Sequence, residues 1–317
     1  MDKTDRKILY ELDLNSKQSF QSLGRKVGLG KETVFHRVQK LKEKGIIDKF
    51  ITILNVHKLG YTNYRLFLKF KNIDKEIERK IISFFKKSNL TGWVISVNGN
   101  WDLGIWFMIK NLFDLKLIYE EFKKKFSNYI ANEKLSVFSD VSYFSRSYII
   151  DKPNSYSLDI DVPEDNEELT DSDLVILKEL AKNSRIQVIK LADESNLSVK
   201  TVIKKINEFE RKKIILGYRL KINLDLIGVQ YYKIHIKLNN LNERDKSEID
   251  SFILNHPNII YLDNTISGYD LELDVQVEDK KDLDSLLENI KERFRKNIEN
   301  YEILEYVKEH KHIFIGL

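Results

Sequence analysis

The chain has 317 residues, of which 42% are hydrophobic and 32% charged, and its formal net charge is +4. This leaves room for two to four domains with real hydrophobic cores. The absence of cysteine excludes disulfides, thiolate metal sites and cysteine nucleophiles. No apolar run is long enough for a membrane helix and the N-terminus is not typical of a signal peptide, so a cytoplasmic protein without membrane contact is expected.

Residues 1–60 are predicted to form a winged helix-turn-helix, with three helices followed by a strand. In the third helix, 31–44, Val34, Val38 and Leu41 recur on one face and predict a buried stripe. The opposite face would then be free to enter a DNA major groove. The predicted DNA contacts of this helix are Lys31, Glu32, Thr33, His36, Arg37 and Lys40. For Arg37, bracing of the neighbouring helix is an equally good interpretation.

Residues 61–150 alternate strands and helices in the order βαββαβ, which is typical of a ferredoxin-like fold. A turn at residues 98–101 joins the second and third strands of this predicted unit. Residues 151–168 are acidic and contain two of the three prolines. They are interpreted as a solvated linker.

The whole pattern then repeats at a constant shift of 168 residues, which places Asp173 where Asp5 stands. The repeat predicts a second winged helix-turn-helix at 169–228 and a second ferredoxin-like sensor at 229–317. The fold class is therefore α+β, a tandem repeat of a winged helix-turn-helix and a βαββαβ sensor domain. The predicted DNA contacts of the second copy are Lys200, Thr201, Lys204 and Lys205.

The two copies resemble the Lrp/AsnC (feast/famine) transcriptional regulators. In the first copy, the residues that carry the resemblance are Asp5, Ile8, Leu9, Leu12, Asn15, Gly28, Leu29, Thr33, Val34, Arg37, Val38, Leu41, Gly45, Ile46, Ile47, Leu59, Gly60 and the turn Gly99–Asp102. The resemblance covers nearly the whole chain twice, whereas members of this family typically have one copy and assemble as dimers or higher oligomers.

The resemblance implies a sequence-specific DNA-binding regulator with double-stranded DNA as its partner and a small effector such as an amino acid. The positions that it assigns to the effector are Gly99, Asn100, Asp102, Gly268 and Asp270. For Gly99 and Asp102, shaping of a hairpin is the alternative. No catalytic residue, metal site or cofactor is expected, and further homo-oligomerisation is compatible with the resemblance.

Two other functions were weighed against DNA binding. Siroheme decarboxylases are built from similar units, sometimes fused in one chain, but they place a histidine where Gly99 stands, and none of the six histidines is expected near either sensor turn. An RNA-binding sheet needs exposed aromatic residues, whereas the strand at 271–277 would expose Glu272, Asp274 and Gln276. The chain is therefore expected not to be an enzyme.

The two sensors are predicted to pair within the chain as a pseudo-dimer. Alternation along the strands makes one sheet face of the first sensor basic and apolar, and the corresponding face of the second mixed and partly acidic. Glu272 and Asp274 are expected near the lysines of the first sheet.

Overall fold

The computed structural model describes residues 1–154, 156–163 and 165–313. In the first copy each α-helix begins at a capping position; Asp2 and Ser19, for example, accept hydrogen bonds from backbone N–H groups of the first turn. The elements of the first copy are α1 (Lys3–Leu14), α2 (Phe20–Val27), α3 (Lys31–Glu43), β1 (Ile47–Leu54), β2 (Thr62–Phe70), α4 (Lys75–Lys87), β3 (Thr91–Asn98), β4 (Leu103–Ile109), α5 (Leu112–Phe126) and β5 (Ile130–Phe144).

The second copy follows the short strand β6 (Ser157–Asp161) and keeps the shift of 168 residues in nearly every element. Its first helix is capped by Thr170, whose side chain forms a capping box with Asp173. The elements of the second copy are α6 (Asp171–Lys182), α7 (Val188–Ser195), α8 (Val199–Arg211), β7 (Ile215–Ile222), β8 (Gln230–Leu238), α9 (Glu243–Asn255), β9 (Ile259–Ile266), β10 (Leu271–Val277), α10 (Lys280–Phe294) and β11 (Ile298–His312).

The winged units complete each other's cores by exchanging strands. β1 pairs antiparallel with β7 in a two-stranded ribbon, so the wing strand of each copy joins the other copy. Leu54 and Val56 of the first copy pack into the core of the second winged unit, and Leu220 and Ile222 pack into the core of the first. Units this small have thin cores, and the exchange gives each of them more buried apolar surface.

The two sensor sheets join edge to edge and close on themselves. Strand β3 pairs with β11, and β5 pairs with β9, so both junctions link the two copies. The strands follow the order β2-β4-β3-β11-β8-β10-β9-β5, with β6 at the outside, and β5 also pairs with β2. Closure removes the exposed sheet edges and encloses an interior between the copies.

The interior contains the residues that the sequence analysis placed on a solvated face of β10. Glu272, Asp274 and Gln276 are buried, because they point into the closed sheet. These three residues therefore do not form the exposed acidic surface that was predicted. Their partners also differ from the prediction: Glu272 forms an ion pair with Arg65, and Asp274 accepts a hydrogen bond from Lys233 of its own sheet at 2.8 Å.

The segment between the copies is not simply a solvated linker. Within 151–168, β6 pairs with β5, and Leu158 and Ile160 are buried against Ile51 and Ile53 of the ribbon. Their spacing of two places both side chains on one face of the strand. The linker interpretation was wrong at these residues because acidity and prolines dominated the composition.

The predicted fold class is confirmed. Within the described residues, no helix is long and apolar enough to cross a membrane.

Candidate nucleic-acid interface and interior sites

The outer face of α3 is exposed because Val34, Val38 and Leu41 fill the core beneath it. Lys40 has no ion-pair partner among the described residues, and the nearest carboxylate to Lys31 is that of Glu32, 3.9 Å away. These side chains are available to an incoming polyanion. The exposed positions from the predicted set are Lys31, Glu32, Thr33, His36 and Lys40.

Helix α8 presents the equivalent face in the second copy, over Val202 and Ile206. Lys200 and Lys204 are exposed, and neither has an ion-pair partner in the described part of the chain. Thr201 is half-buried because it belongs to the N-terminal cap, where its hydroxyl group lies 2.8 Å from that of Ser198.

Two predicted DNA contacts, Arg37 and Lys205, instead connect helices of their own winged units. The Arg37 Nη1 atom lies 2.8 Å from Asp2 and 2.7 Å from Asp5. At the equivalent position, Lys205 Nζ lies 2.6 Å from Asp173. These contacts match the bracing interpretation of Arg37 and give Lys205 the same structural role.

The predicted effector residues Asp102 and Asp270 occupy equivalent structural positions. The Asp102 carboxylate accepts from the backbone N–H of Phe70 at 2.7 Å and from Lys69 at 2.8 Å. Asp270 does the same with the N–H of Leu238 at 2.7 Å and with a lysine. Both carboxylates thus fix the end of a neighbouring strand, in keeping with the hairpin-shaping alternative.

Of the other three predicted effector residues, Gly99 and Asn100 lie at the contact between the copies, whereas Gly268 packs within the second copy. Gly99 has φ +134°, and a Cβ at this position would lie 2.6 Å from the carbonyl oxygen of Ile303 in β11. Asn100 donates a hydrogen bond to Glu302 of β11, and the backbone of Gly268 packs against Thr265 and Glu272. The effector role of all five residues stays a prediction.

Glu302 joins the two sensor turns, a relationship that the sequence analysis missed. Its carboxylate accepts from Trp101 Nε1 of the first turn at 3.1 Å and from the hydroxyl group of Tyr269 of the second. His235 Nδ1 lies 2.9 Å from Glu302, and its ring stacks on Tyr269 with centroids 4.3 Å apart. The statement that no histidine lies near a sensor turn was therefore wrong, because β8 brings His235 between both turns.

The protonation of this cluster follows from its surroundings. Burial lowers the pKa of His235 to about 3, so the ring is neutral at pH 7. Burial alone would raise the pKa of Glu302, but hydrogen bonds from His235, Tyr269 and Asn100 lower it to about 2. Since a carboxylate only accepts hydrogen bonds, the neutral imidazole carries its proton on Nδ1.

A second buried charge cluster connects the first winged unit to both sensors. Asp13 at the end of α1 forms ion pairs with Arg146 and with Arg219, the latter at 2.9 Å. Arg146 also donates from Nε to Gln276 at 3.1 Å. Burial opposes ionisation of Asp13, but the two guanidinium groups keep its pKa below the ordinary value. No local sequence pattern indicated this cluster, because its members are far apart in the chain.

A third cluster lies inside the closed sheet. Asp263 Oδ2 accepts from Arg65 Nη1 at 2.8 Å and from Lys233 Nζ at 2.6 Å. Lys233 also donates to Asp274, which accepts a further hydrogen bond from the hydroxyl group of Tyr306 at 2.8 Å. Burial raises the pKa of Asp274, whereas Lys233 and Arg65 lower that of Asp263 despite its burial.

Comparison with known proteins places the winged units in a family. The family described as winged helix-turn-helix DNA-binding matches residues 1–48 and 169–215. An HTH-type transcriptional regulator of Pyrococcus abyssi is 30% identical over 104 residues, which span 32% of this chain and 69% of that protein. The HTH-type transcriptional regulator Ptr1 of Methanocaldococcus jannaschii is 43% identical over 61 residues, 19% of this chain and 41% of that protein.

Among solved structures, the siroheme decarboxylase NirDL shares the two-copy architecture. It aligns with a TM-score of 0.65 over 99% of this chain and 94% of its own, at 15% sequence identity. At this identity the match establishes a common fold. The prediction that this chain is not an enzyme was therefore wrong. An enzyme, NirDL, has the same arrangement of two fused copies, so this architecture does not exclude catalysis.

The match to the Pyrococcus regulator spans 69% of that protein, and the winged helix-turn-helix family match covers α3 and α8. The resemblance stated from the sequence is thus confirmed: the chain belongs to the family of HTH-type transcriptional regulators, and it contains the matched winged unit twice.

Proposed function

We propose that this protein is a sequence-specific transcriptional regulator that binds duplex DNA with α3 and α8 of the same chain. The observation that carries the proposal is the reciprocal pairing of the winged units. The N–H of Asn55 donates to Ile214, and the N–H of Asn223 donates to Ile46, both at 2.9 Å. Because each bond repeats the other at a shift of 168 residues, the two helices are related by a pseudo-twofold axis, like the paired readers of a dimeric regulator.

The two helices carry different chemistry at equivalent positions. Glu32 corresponds to Lys200, and His36 corresponds to Lys204. A symmetric dimer reads a palindrome, whereas two unlike readers require two unlike half-sites. We therefore assign the direct DNA contacts to the exposed residues of both helices. Arg37 and Lys205 are not assigned to DNA, because they form ion pairs within their own winged units.

The test is DNA retardation by the full chain across a range of salt concentrations, with Lys40→Ala and Lys204→Ala as variants. Each variant is expected to weaken binding to all sequences and to flatten the log–log salt dependence by about one unit, because one phosphate contact is lost. Lys87→Ala, at an exposed lysine of α4, is the control and should leave the slope unchanged. Unchanged affinity after Lys31, Lys40, Lys200 and Lys204 are all replaced by Ala would refute the proposal.

A second candidate function is decarboxylation of a carboxylate-bearing tetrapyrrole, and the observation that favours it is the whole-chain match to NirDL. The interior offers a cavity of about 840 Å³, and the His235–Glu302 pair is buried outside its lining. Incubation of the full chain with siroheme under anaerobic conditions tests this function. Tight binding with a Soret band and release of CO2 would support it, and the absence of both would exclude it.

A further inference from the structure

The cavity of about 840 Å³ lies between the β1–β7 ribbon and the interior of the closed sheet. The ribbon side contributes Ile53 and Lys221, and the sheet side reaches Arg65 and Asp263. Both copies thus form its walls. It is separate from the predicted effector turns, since neither Gly99–Asp102 nor residues 267–270 line it.

The two copies give this cavity unlike walls. The first copy contributes Trp93 and Phe138, and at the equivalent positions the second contributes Tyr261 and Tyr306. Likewise, Trp106 of the first copy corresponds to Asp274 of the second. At these positions the second copy therefore presents hydroxyl and carboxylate groups where the first presents apolar rings, and Trp93 and Tyr306 meet edge to face with centroids 5.2 Å apart. This combination suits a planar ring with hydrogen-bonding substituents on one edge.

Several polar atoms that line the cavity, from both copies, make no hydrogen bond within the described part of the protein. Among the described residues, the hydroxyl groups of Tyr143, Tyr231 and Tyr261 make no hydrogen bond, although all three side chains line the cavity. Asp263 is 6% exposed, and both of its ion pairs use Oδ2, which leaves Oδ1 without a partner. The three tyrosines are half-buried, and their hydroxyl groups and Asp263 Oδ1 can accept hydrogen bonds from a ligand that supplies donors.

The charge of the lining restricts the ligand further. Six carboxylate side chains and four from lysine or arginine line the cavity. The cations at its inner end are already bound: Arg65 to Asp263 and Glu272, and Arg146 to Asp13. Four of the carboxylates, those of Asp48, Asp263, Asp274 and Glu309, are likewise paired with cations. Because carboxylates still outnumber lysine and arginine side chains along the described lining, a neutral or cationic ring is favoured over an anionic one, also by the faces of the aromatic rings.

We propose that this cavity is a binding site for a planar aromatic amine, with its ring against the aromatic side chains of the lining and its amino group directed to Asp263 Oδ1. The ligand contacts the ribbon that joins the two winged units, so its binding changes the position of α3 relative to α8 and hence the affinity for DNA. This coupling rests on the proposed DNA-binding function, whereas the site itself does not.

The experiment measures ligand binding to the full chain without DNA. Two of the three tryptophans, Trp93 and Trp106, line the cavity, so quenching of tryptophan fluorescence reports occupancy. The probes are 2-aminobenzimidazole as the planar amine and 2-naphthoate as a planar carboxylate of similar size. The double variant Tyr231→Phe/Tyr261→Phe removes only two hydroxyl groups, and Tyr301→Phe on exposed β11 is the matched control.

The amine is expected to bind more tightly than the carboxylate. The double variant should weaken amine binding about tenfold, as expected for two hydrogen bonds, while the control leaves it unchanged. Val141→Trp, which adds bulk at the cavity wall, should abolish binding. Tighter binding of naphthoate, no binding of the amine up to millimolar concentration, or binding unaffected by Val141→Trp would overturn the proposed site.

DNA retardation with and without the amine then tests the coupling separately. An amine-dependent change in affinity supports it, and unchanged DNA affinity in the presence of bound amine overturns it. The Lys40 and Lys204 variants test DNA binding in the absence of the amine, and the fluorescence experiment tests the cavity in the absence of DNA. A failure of the proposed DNA-binding function is therefore distinguishable from a failure of the proposed ligand site.

Discussion

Ser16 Oγ lies 2.8 Å from Ser184 Oγ, and these two buried serines occupy the same position in the two copies. The backbone repeats the relationship: the N–H of Ser16 donates to Tyr218, and the N–H of Ser184 donates to Phe50, at 2.9 and 2.8 Å. A residue that contacts its own counterpart lies beside the symmetry axis of a pair. The pseudo-twofold axis of the winged units therefore passes between these serines.

Replacement of either serine alone should lower the free energy of unfolding by more than the net contribution of the hydrogen bond between them. Ser16→Ala or Ser184→Ala leaves one buried hydroxyl group without a partner, at a cost of about 1–3 kcal/mol. The double variant removes both hydroxyl groups, so it should be no less stable than the less stable single variant. A double-mutant cycle by thermal unfolding measures this, and strictly additive losses would contradict the pairing.

Arg37→Ala and Lys205→Ala should lower stability without changing the salt dependence of DNA binding. Each side chain is held by an aspartate near the start of its winged unit, so its loss removes an ion pair within that unit rather than a phosphate contact. Thermal unfolding and salt-dependent retardation of the same samples check both parts. A salt slope that falls by about one unit would show that these side chains contact DNA instead.

Lys213→Gly should stabilise the second winged unit. Lys213 has φ +55°, and its counterpart Gly45 has φ +71° in the same C-terminal turn after the recognition helix. A residue with a Cβ is strained in this left-handed region by about 1 kcal/mol, which glycine avoids. The melting temperature should rise, and Gly45→Ala, the matched change in the first copy, should lower it. A lower melting temperature for Lys213→Gly would contradict the explanation.

His235 should make stability fall as the pH drops below 6.5. Its pKa is about 3 in the folded protein, against an ordinary value of 6.5, so between these values the unfolded chain binds a proton that the folded chain does not. The stability is fully present above pH 6.5 and is lost toward pH 3, by about 1.4 kcal/mol per pH unit. His235→Phe, which copies Phe67 at the equivalent position, should flatten this slope in urea titrations at pH 7, 6 and 5. An unchanged slope would contradict the burial of a neutral imidazole.

The order of the elements could be predicted from the sequence because it depends on local signals. Helical spacing, the caps Asp2, Ser19 and Thr170 and the constant repeat all act within a few residues or by direct comparison of the copies. These local signals were sufficient to predict the two-copy architecture, because that prediction did not require contacts between residues that are distant in the chain.

The contacts between the copies could not be predicted in the same way. Alternation along β10 separates two faces, but both are buried once the sheets close, so polarity alone assigned Glu272 and Asp274 to solvent. His235 seemed remote from the turns because its proximity to Glu302 depends on the pairing of β8 with β11. The signal that could have located the interior site was the comparison of copies, in which Ile95 and Trp106 correspond to Asp263 and Asp274.

The central claim, that one chain offers two unlike recognition helices to one duplex, is tested most directly by selection of binding sites from random DNA followed by footprinting. The claim predicts two half-sites of different sequence whose centres lie about 10 base pairs, or a multiple of that, apart, because Glu32 and His36 meet one half-site and Lys200 and Lys204 the other. Lys200→Glu combined with Lys204→His, which copies the first helix at these positions, should shift the selected site towards a palindrome. Recovery of a perfect palindrome by the unaltered chain would contradict the claim.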